Sequence, residues 1–214
     1  MSEPRIVDSH MRAYYDRRAR EYDDWWLGDG RFADVDRPGW RDEVQAVIAV
    51  VAGLPPARVL DVACGTGFLT QHLRGQVVGL DQSSAMVEVA GARLPHATVV
   101  QGDAVPLPFA DGEFDRVFTG HFYGHLLPDE RTAFVAEARR VAGELVVVDS
   151  AVREGVDPEQ WQQRVLNDGS EHRVYKRYFV ASELADELGG GEVLHAGTWF
   201  VVVNNGARHR YSPA

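Results

Sequence analysis

The chain has 214 residues, 45% of them hydrophobic and 25% charged, and a formal net charge of −10. This length accommodates one α/β domain or at most two small ones, and the composition excludes general disorder. No apolar run approaches the roughly 18 residues of a membrane-spanning helix, and the N-terminus lacks the apolar core of a signal peptide. We therefore expect a cytoplasmic protein without membrane contact, either a monomer or a homodimer.

The acidic charge and the single cysteine narrow the function classes further. An acidic surface repels the phosphate backbone that supplies most nucleic-acid affinity, so nucleic acid is a disfavoured partner. Cys64 has no second cysteine with which to form a disulfide or a zinc site. No histidine pair occurs with carboxylates at metal-ligand spacing, so we expect no metal. The basic residues are 21 arginines and one lysine, Lys176.

Helices and strands alternate along the chain. Aromatic spacing predicts a helix over 14–26, a Gly- and Asp-rich segment predicts a loop over 27–39, and apolar spacing predicts a helix over 40–51. Strands are predicted at 58–63, 76–81, 97–100, 114–118 and 144–149, and helices at 68–73, 84–94 and 128–142. After the fifth strand we expect a helix near 158–166, a strand over 172–179, a helix over 182–188 and two closing strands within 192–205.

This order predicts an α/β, doubly wound, Rossmann-like fold: a mostly parallel seven-stranded sheet with helices on both faces. We expect a single domain over 1–214. Its parts are N-terminal helices over 1–52 that form a lid, a cofactor-binding core over 56–150, a substrate-side insertion over 151–180, and a C-terminal helix with closing strands over 181–214.

The sharpest motif is a glycine-containing turn after the first strand, DVACGTG at 61–67. Gly65 and Gly67 let the backbone turn tightly and approach a ligand. Asp81 ends the next strand, where a carboxylate can accept hydrogen bonds from both hydroxyls of a ribose. A dinucleotide fingerprint needs a third glycine, and Thr70 stands there instead. Since Asp61 suits an ammonium group better than a pyrophosphate, the motif favours S-adenosylmethionine.

These segments resemble the class I S-adenosylmethionine-dependent methyltransferases. VLDVACGTG at 59–67 is similar to the motif that holds the methionine part of the cofactor, and VVGLDQS at 77–83 is similar to the ribose motif. QGDA at 101–104 resembles the adenine motif, and FDRVFTGHFYGHL at 114–126 resembles the segment under the cofactor. The resemblance implies cofactor contacts from Tyr14, Tyr22, Asp61, Ala63, Gly65, Gly67, Phe68, Asp81, Gln82, Met86, Gly102, Asp103, Ala104, Gly120 and His121.

A narrower resemblance covers both ends of the chain. RVLNDGSEHRVYKRYFVASELADEL at 164–188 and YYDRRAREYD at 14–23 are similar to a subset of small bacterial methyltransferases that includes the phosphonate O-methyltransferase of dehydrophos biosynthesis. In this subset the opening helix often folds over the site as a lid. The resemblance identifies a scaffold better than a substrate.

The catalytic candidates are His121 and His125, which the resemblance places near the transferred methyl group. Either can position an acceptor or remove its proton, and either can instead cap a helix or pair with backbone. The substrate-binding candidates are Tyr14, Tyr15, Tyr123, Arg164, Arg173 and Lys176. Arg173 and Lys176 converge into an anion site only if their strand is bulged or ends between them, because side chains alternate between faces. The alternative is a solvated edge strand.

We therefore predict methyl transfer from S-adenosylmethionine, with S-adenosylhomocysteine as product, to a small-molecule acceptor. The candidate acceptor atoms include a carboxylate or phosphonate oxygen and a hydroxyl oxygen of a metabolite, and the sequence leaves nitrogen, sulfur and carbon acceptors open. One alternative is a non-catalytic module that binds S-adenosylmethionine. A second is an NAD(P)-dependent oxidoreductase, which shares the ribose aspartate but needs the missing glycine.

Overall fold

The computed structural model describes residues 9–206. Its central sheet has seven strands in the order β3-β2-β1-β4-β5-β9-β8, and a separate antiparallel hairpin is formed by β6 and β7. The strands are β1 (Ala57–Val62), β2 (Gly75–Asp81), β3 (Thr98–Gln101), β4 (Phe114–Gly120), β5 (Ala142–Ser150), β6 (Glu159–Val165), β7 (Glu171–Arg177), β8 (Glu192–Ala196) and β9 (Phe200–Gly206).

β1 to β5 are parallel to one another, and β9 pairs antiparallel with both β5 and β8. This confirms the predicted mostly parallel, Rossmann-like sheet. The helices are α1 (Ser9–Arg18), α2 (Tyr22–Leu27), α3 (Trp40–Gly53), α4 (Ser84–Arg93), α5 (Pro128–Val141) and α6 (Ala181–Glu187). The Ser83 side chain caps α4 by accepting a hydrogen bond from the Met86 N–H at 3.1 Å.

Side-chain alternation along β5 divides the hydrophobic core between the two faces of the sheet. Val146 and Val148 pack with the apolar face of α3, whereas Leu145 and Val147 pack with α5 and α6. A parallel sheet that is buried on both faces directs its polar chemistry to the strand ends. The carboxyl ends of β1, β2, β4 and β5 therefore form the edge on which a site can be built.

Three predicted helices differ from the structure. The segment predicted as a helix near 158–166 is strand β6, because the Asp168–Gly169 turn closes it against β7 in an unbroken antiparallel register. The helix predicted over 14–26 is divided into α1 and α2 by a 3₁₀ turn at Ala19–Glu21. The segment 68–73 forms only a 3₁₀ turn, Thr70–His72. Among residues 9–206, no helix is long and apolar enough to cross a membrane.

Candidate functional site

Two adjoining cavities lie at the carboxyl edge of the sheet, beneath α1 and α2. The first, called here the cofactor pocket, is lined by residues of the glycine loop and of the ends of β2 and β4, including Gly65, Asp81 and Gly120. The second, called the acceptor cavity, has a volume of about 420 Å³. The two cavities share the side chains of Tyr15, Tyr22, His121 and His125.

Asp81 ends β2 and orders the floor of the cofactor pocket. One carboxylate oxygen accepts a hydrogen bond from the Gly65 N–H at 2.9 Å, and the other accepts one from the Ser83 N–H at 2.9 Å. Burial raises the pKa of Asp81 to about 6, although these N–H groups favour the ionised form. Each carboxylate oxygen has a second lone pair, so the group can also accept hydrogen bonds from a pair of ligand hydroxyls.

Asp61, at the start of the glycine loop, carries a buried oxygen without a partner. Its Oδ2 accepts a hydrogen bond from the Thr70 hydroxyl at 2.5 Å, and its Oδ1 has no partner among the described residues. Burial raises the pKa of Asp61 to about 8, against the effect of that hydrogen bond. A buried carboxylate oxygen without a partner is stabilised by a cationic hydrogen-bond donor, and the ammonium group of a ligand is such a donor.

The two glycines of the loop have left-handed backbone conformations, which residues with a Cβ atom adopt only with steric strain. Gly65 and Gly67 have φ values of +56° and +77°. A Cβ atom on Gly67 would lie 2.9 Å from Leu94 Cδ1, so the loop also needs glycine there for close packing against α4. The backbone can therefore approach a ligand, and the residues fit the S-adenosylmethionine predicted from the sequence.

The structure brings most of the predicted cofactor residues together. Those that line the cofactor pocket are Tyr22, Ala63, Gly65, Asp81, Gln82, Met86, Gly102, Ala104, Gly120 and His121. Asp61 and Phe68 line a small cavity beside it, and Tyr14 lines the acceptor cavity instead. Asp103 is half-exposed and forms an ion pair with Arg12 at 3.2 Å.

His121 lies where the two cavities meet. It has a φ of +57°, which is uncommon for a residue with a Cβ, and its ring packs edge-on against Trp25 and Trp26. Its Nε2 atom is buried and has no partner among the described residues. Burial lowers the pKa of His121 to about 3, so the imidazole is neutral at physiological pH. A neutral ring of this kind can form a hydrogen bond with a methyl-accepting substrate, but it is a weak base.

His125 is held by backbone. Its Nδ1 lies 2.6 Å from the Tyr175 carbonyl oxygen, which requires a proton on Nδ1 and leaves Nε2 as the hydrogen-bond acceptor. Burial lowers the pKa of His125 well below its ordinary value. The ring lines both cavities, so the backbone bond fixes its orientation without removing it from the site.

A buried ion pair stands beside these two histidines. The Lys176 ammonium contacts Asp149 Oδ1, and Asp149 Oδ2 accepts a hydrogen bond from the Gly124 N–H at 2.7 Å. Burial opposes ionisation of Asp149, but the Lys176 charge and the Ser150 N–H hold the pKa of Asp149 below its usual range. Lys176 lines the acceptor cavity, yet Asp149 neutralises it, so this lysine adds little net charge there.

Two arginines of the acceptor cavity meet at one tyrosine. Arg18 Nη1 donates to Tyr14 Oη at 2.6 Å, and Arg164 Nη1 approaches the same oxygen at 3.4 Å. Burial alone would raise the pKa of Tyr14, but the two guanidinium groups outweigh it and lower the pKa. Within residues 9–206, neither arginine forms an ion pair with a carboxylate. A substrate anion can supply the missing negative charge.

Two of the predicted substrate residues do not reach either cavity. Tyr123 packs against Phe134 and Phe179 in the core, and its hydroxyl donates to Glu187 at 2.8 Å. Arg173 lies on the exposed face of β7 and stacks on Trp161, with its guanidinium carbon 4.8 Å from the ring centre. Since the hairpin register is unbroken, the predicted convergence of Arg173 with Lys176 does not occur.

Sequence reasoning missed several residues of the site, among them Arg18 and Asp149. Arg18 comes from α1, within the YYDRRAREYD segment at 14–23, and Asp149 comes from the end of β5. A signal for Asp149 was present, because it lies one residue before the end of a parallel strand, as Asp61 does, and Asp81 ends the strand beside β1. Arg18 lies four residues after Tyr14, the spacing that brings two side chains together on a helix. Among the described residues, no group of His, Cys, Asp or Glu is arranged to hold a metal.

The chain is similar to known methyltransferases. The family model described as a methyltransferase domain matches residues 60–144. A demethylmenaquinone methyltransferase from Thermotoga maritima is 32% identical over 148 residues, which are 65% of this chain and 61% of that protein. This chain therefore matches less than two thirds of the length of that curated relative.

Two solved structures are similar over nearly their whole length. The "DhpI-SAM-HEP complex" has a TM-score of 0.75 at 28% identity and covers 95% of this chain and 99% of its own. The "DhpI-SAH complex structure" has a TM-score of 0.70 at 28% identity and covers 92% of this chain and 96% of its own.

The fold, the domain match and these neighbours make the chain similar to the class I S-adenosylmethionine-dependent methyltransferases, the family that the glycine loop resembles. The cofactor of this class is S-adenosylmethionine. Within the class, the chain is similar to DhpI, whose complexes with SAM and SAH have been solved.

Proposed function

We propose that the protein transfers the methyl group of S-adenosylmethionine to an anionic oxygen of a small metabolite. The observation that carries this proposal is the pair Arg18 and Arg164, which meet at Tyr14 without a carboxylate partner in the described residues, in the cavity that adjoins the cofactor pocket. A carboxylate or phosphonate group on the acceptor would complete this arrangement.

Two carboxylates, one in the cofactor pocket and one in the small cavity beside it, would bind different parts of the cofactor. Asp81 would accept hydrogen bonds from the ribose hydroxyls, and Asp61 Oδ1 would accept one from the ammonium group of the methionine part. Bound S-adenosylmethionine supplies an electrophilic methyl group on its sulfonium. The aromatic side chains of Tyr15 and Tyr22, from the N-terminal helices, line both cavities and would contact both ligands at the boundary.

The low basicity of the site favours an acceptor atom that is already ionised. An acceptor oxygen forms its bond to the methyl carbon as the carbon–sulfur bond breaks, and an ionised oxygen has no proton to lose. His121, with a pKa lowered to about 3, is a weak base and would instead position the acceptor through its unpartnered Nε2. Alignment of the two reactants supplies the catalysis and can contribute roughly 7–11 kcal/mol in such reactions.

A matched pair of arginine variants on one hairpin tests the proposal. The assay would measure S-adenosylhomocysteine release with a panel of small carboxylates and phosphonates. Arg164→Ala should raise the acceptor KM roughly 10- to 100-fold, the range for loss of a hydrogen bond to a charged group, with unchanged cofactor affinity. Arg173→Ala, on the exposed face of the same hairpin, should behave as wild type.

Equal effects of the two substitutions would refute the anion site. Cofactor binding without methyl transfer to any member of the panel would instead indicate a non-catalytic binding module.

A further inference from the structure

A second pair of arginines lines the acceptor cavity apart from the Arg18–Arg164 pair. Arg37 lies over the Trp40 ring, with its guanidinium carbon 3.9 Å from the ring centre, and Arg153 lies over the Trp199 ring at 4.5 Å. The two indoles pack edge-to-face with their centres 5.4 Å apart. All four side chains line the cavity, so they form one cationic and aromatic surface, called here the tryptophan platform.

The tryptophan platform is fixed in place by its own hydrogen bonds. Trp40 Nε1 donates to the Trp26 carbonyl at 2.9 Å, and Trp199 Nε1 donates to the Pro38 carbonyl at 3.0 Å. Both indole donors are therefore satisfied, and the ring faces that hold the guanidinium groups cannot turn freely. A guanidinium group held over a ring by a cation–π contact keeps its N–H donors available for a planar anion.

The charges of the platform are not compensated within the described residues. Arg37 and Arg153 form no ion pair there, and the hydrogen bond that Arg37 makes is to the Trp25 carbonyl at 3.1 Å. The charged side chains that line the acceptor cavity are Arg18, Arg31, Arg37, Arg153, Arg164, Lys176, Glu21 and Asp24. Because Asp149 neutralises Lys176, the arginines outnumber the carboxylates five to two among the described residues of this cavity, in a chain whose net charge is −10. This excess of positive charge in the cavity is larger than the single negative charge of a monoanion can neutralise.

We propose that the acceptor carries two anionic groups, one bound by Arg18 and Arg164 and the other by Arg37 and Arg153 on the tryptophan platform. The chemical class is a small dianion, such as a dicarboxylate, with an apolar or aromatic body between its charged ends. The indole rings and Tyr178 of the cavity wall supply the apolar contact for that body. This inference rests on the proposed function and adds a requirement on the substrate.

The test is calorimetry on protein saturated with S-adenosylhomocysteine. The probes are α,ω-dicarboxylates from succinate to suberate, each compared with the monocarboxylate of the same carbon number. For at least one chain length, the dicarboxylate should bind wild-type protein about tenfold more tightly, the effect of one additional charge-assisted hydrogen bond. The variant Arg37→Ala/Arg153→Ala should lose this preference and keep its affinity for the monocarboxylate.

Separate controls keep the outcomes distinct. S-Adenosylhomocysteine affinity shows that a variant is folded, and Arg153→Gln serves as a milder substitution if the double variant does not fold. Arg173→Ala should retain the preference. Equal affinity for mono- and dicarboxylates at every length, or a preference that survives in the Arg37 and Arg153 variants, would overturn the inference. Failure of the proposed function differs, because then no monocarboxylate binds or Arg164→Ala leaves monocarboxylate binding unchanged.

Discussion

The cofactor pocket and the acceptor cavity adjoin, yet they are built in opposite ways. The cofactor pocket uses carboxylates and backbone N–H groups from segments close in sequence, Asp61 to Gly67 and Asp81 to Ser83. The acceptor cavity uses guanidinium groups from α1, the loop before α3, the segment after β5 and the hairpin of β6 and β7. The cofactor pocket is therefore acidic and is built from segments that are short in sequence. The acceptor cavity is cationic and is built from segments that only the tertiary structure brings together.

This difference indicates how the two halves of the reaction are separated. Buried carboxylates suit a cofactor that carries hydroxyl and ammonium groups, whereas unpaired guanidinium groups suit an anion. Under the proposed function, this opposite electrostatic character would direct each ligand to its own cavity, with His121 and His125 at the boundary. A substitution in one cavity that alters ligand affinity in the other cavity would contradict this separation.

The largest effect is expected from breaking the buried ion pair of the acceptor side. Asp149→Asn removes the charge that compensates Lys176 and leaves a buried ammonium group unpaired. We expect a loss of about 3–5 kcal/mol in the free energy of unfolding, measured by urea denaturation. The double variant Asp149→Asn/Lys176→Met should recover much of that loss. Asp111→Asn, at the exposed ion pair with Arg140, is the control and should leave the midpoint nearly unchanged.

An unfolding midpoint of Asp149→Asn equal to that of wild type would show that the pair contributes nothing to the acceptor side. A large fall in S-adenosylhomocysteine affinity of the folded variant would show that the two regions are not independent.

On the cofactor side, Asp81→Ala should weaken S-adenosylhomocysteine binding by about 1.5–3 kcal/mol, the scale of hydrogen bonds to a charged group. Affinity for a monocarboxylate in the acceptor cavity should stay within about twofold, because the arginines there do not contact Asp81. Calorimetry with each ligand measures both quantities. Unchanged S-adenosylhomocysteine affinity would remove Asp81 from the ribose site.

At the boundary, His121→Asn should lower kcat about two- to tenfold, the effect of losing one hydrogen bond to the acceptor. Asparagine tolerates the positive φ at this position better than most residues. Because burial lowers the pKa of His121 to about 3, the wild-type rate at saturating substrates should show no step near pH 6.5 from this residue. A step at that pH that is lost in the variant would identify His121 as a general base.

The smallest effect is a proton released when the cofactor product binds. With a pKa of about 8, Asp61 is mostly protonated at pH 6.5 in the free protein, and a ligand ammonium beside it favours the ionised form. Binding should therefore release close to one proton at that pH, and affinity should rise with pH up to about 8. Calorimetry in buffers of different ionisation enthalpy measures this number. Asp61→Asn should abolish it, and the same release from both proteins would exclude Asp61 as its source.

The same division explains which parts could be predicted from the sequence. The parallel sheet follows from the alternation of strands and helices, and the cofactor follows from one contiguous glycine loop with Asp81 after the next strand, so the fold and the cofactor were predicted correctly. Tyr123 and Arg173 were chosen by position in a motif, but the turn at Tyr123–His125 and the strict alternation of β7 direct their side chains away. Arg37 and Arg153 meet tryptophans that are distant in sequence, and only the folded chain reveals that platform.

The most direct test of the account is calorimetric titration of the wild-type protein with S-adenosylmethionine and, separately, with NADH. We expect saturable binding of S-adenosylmethionine at a single site, loss of most of that affinity in Asp81→Ala, and no heat of binding with NADH. Binding of NADH, or absence of S-adenosylmethionine binding, would contradict the assignment of the cofactor pocket on which both proposals depend.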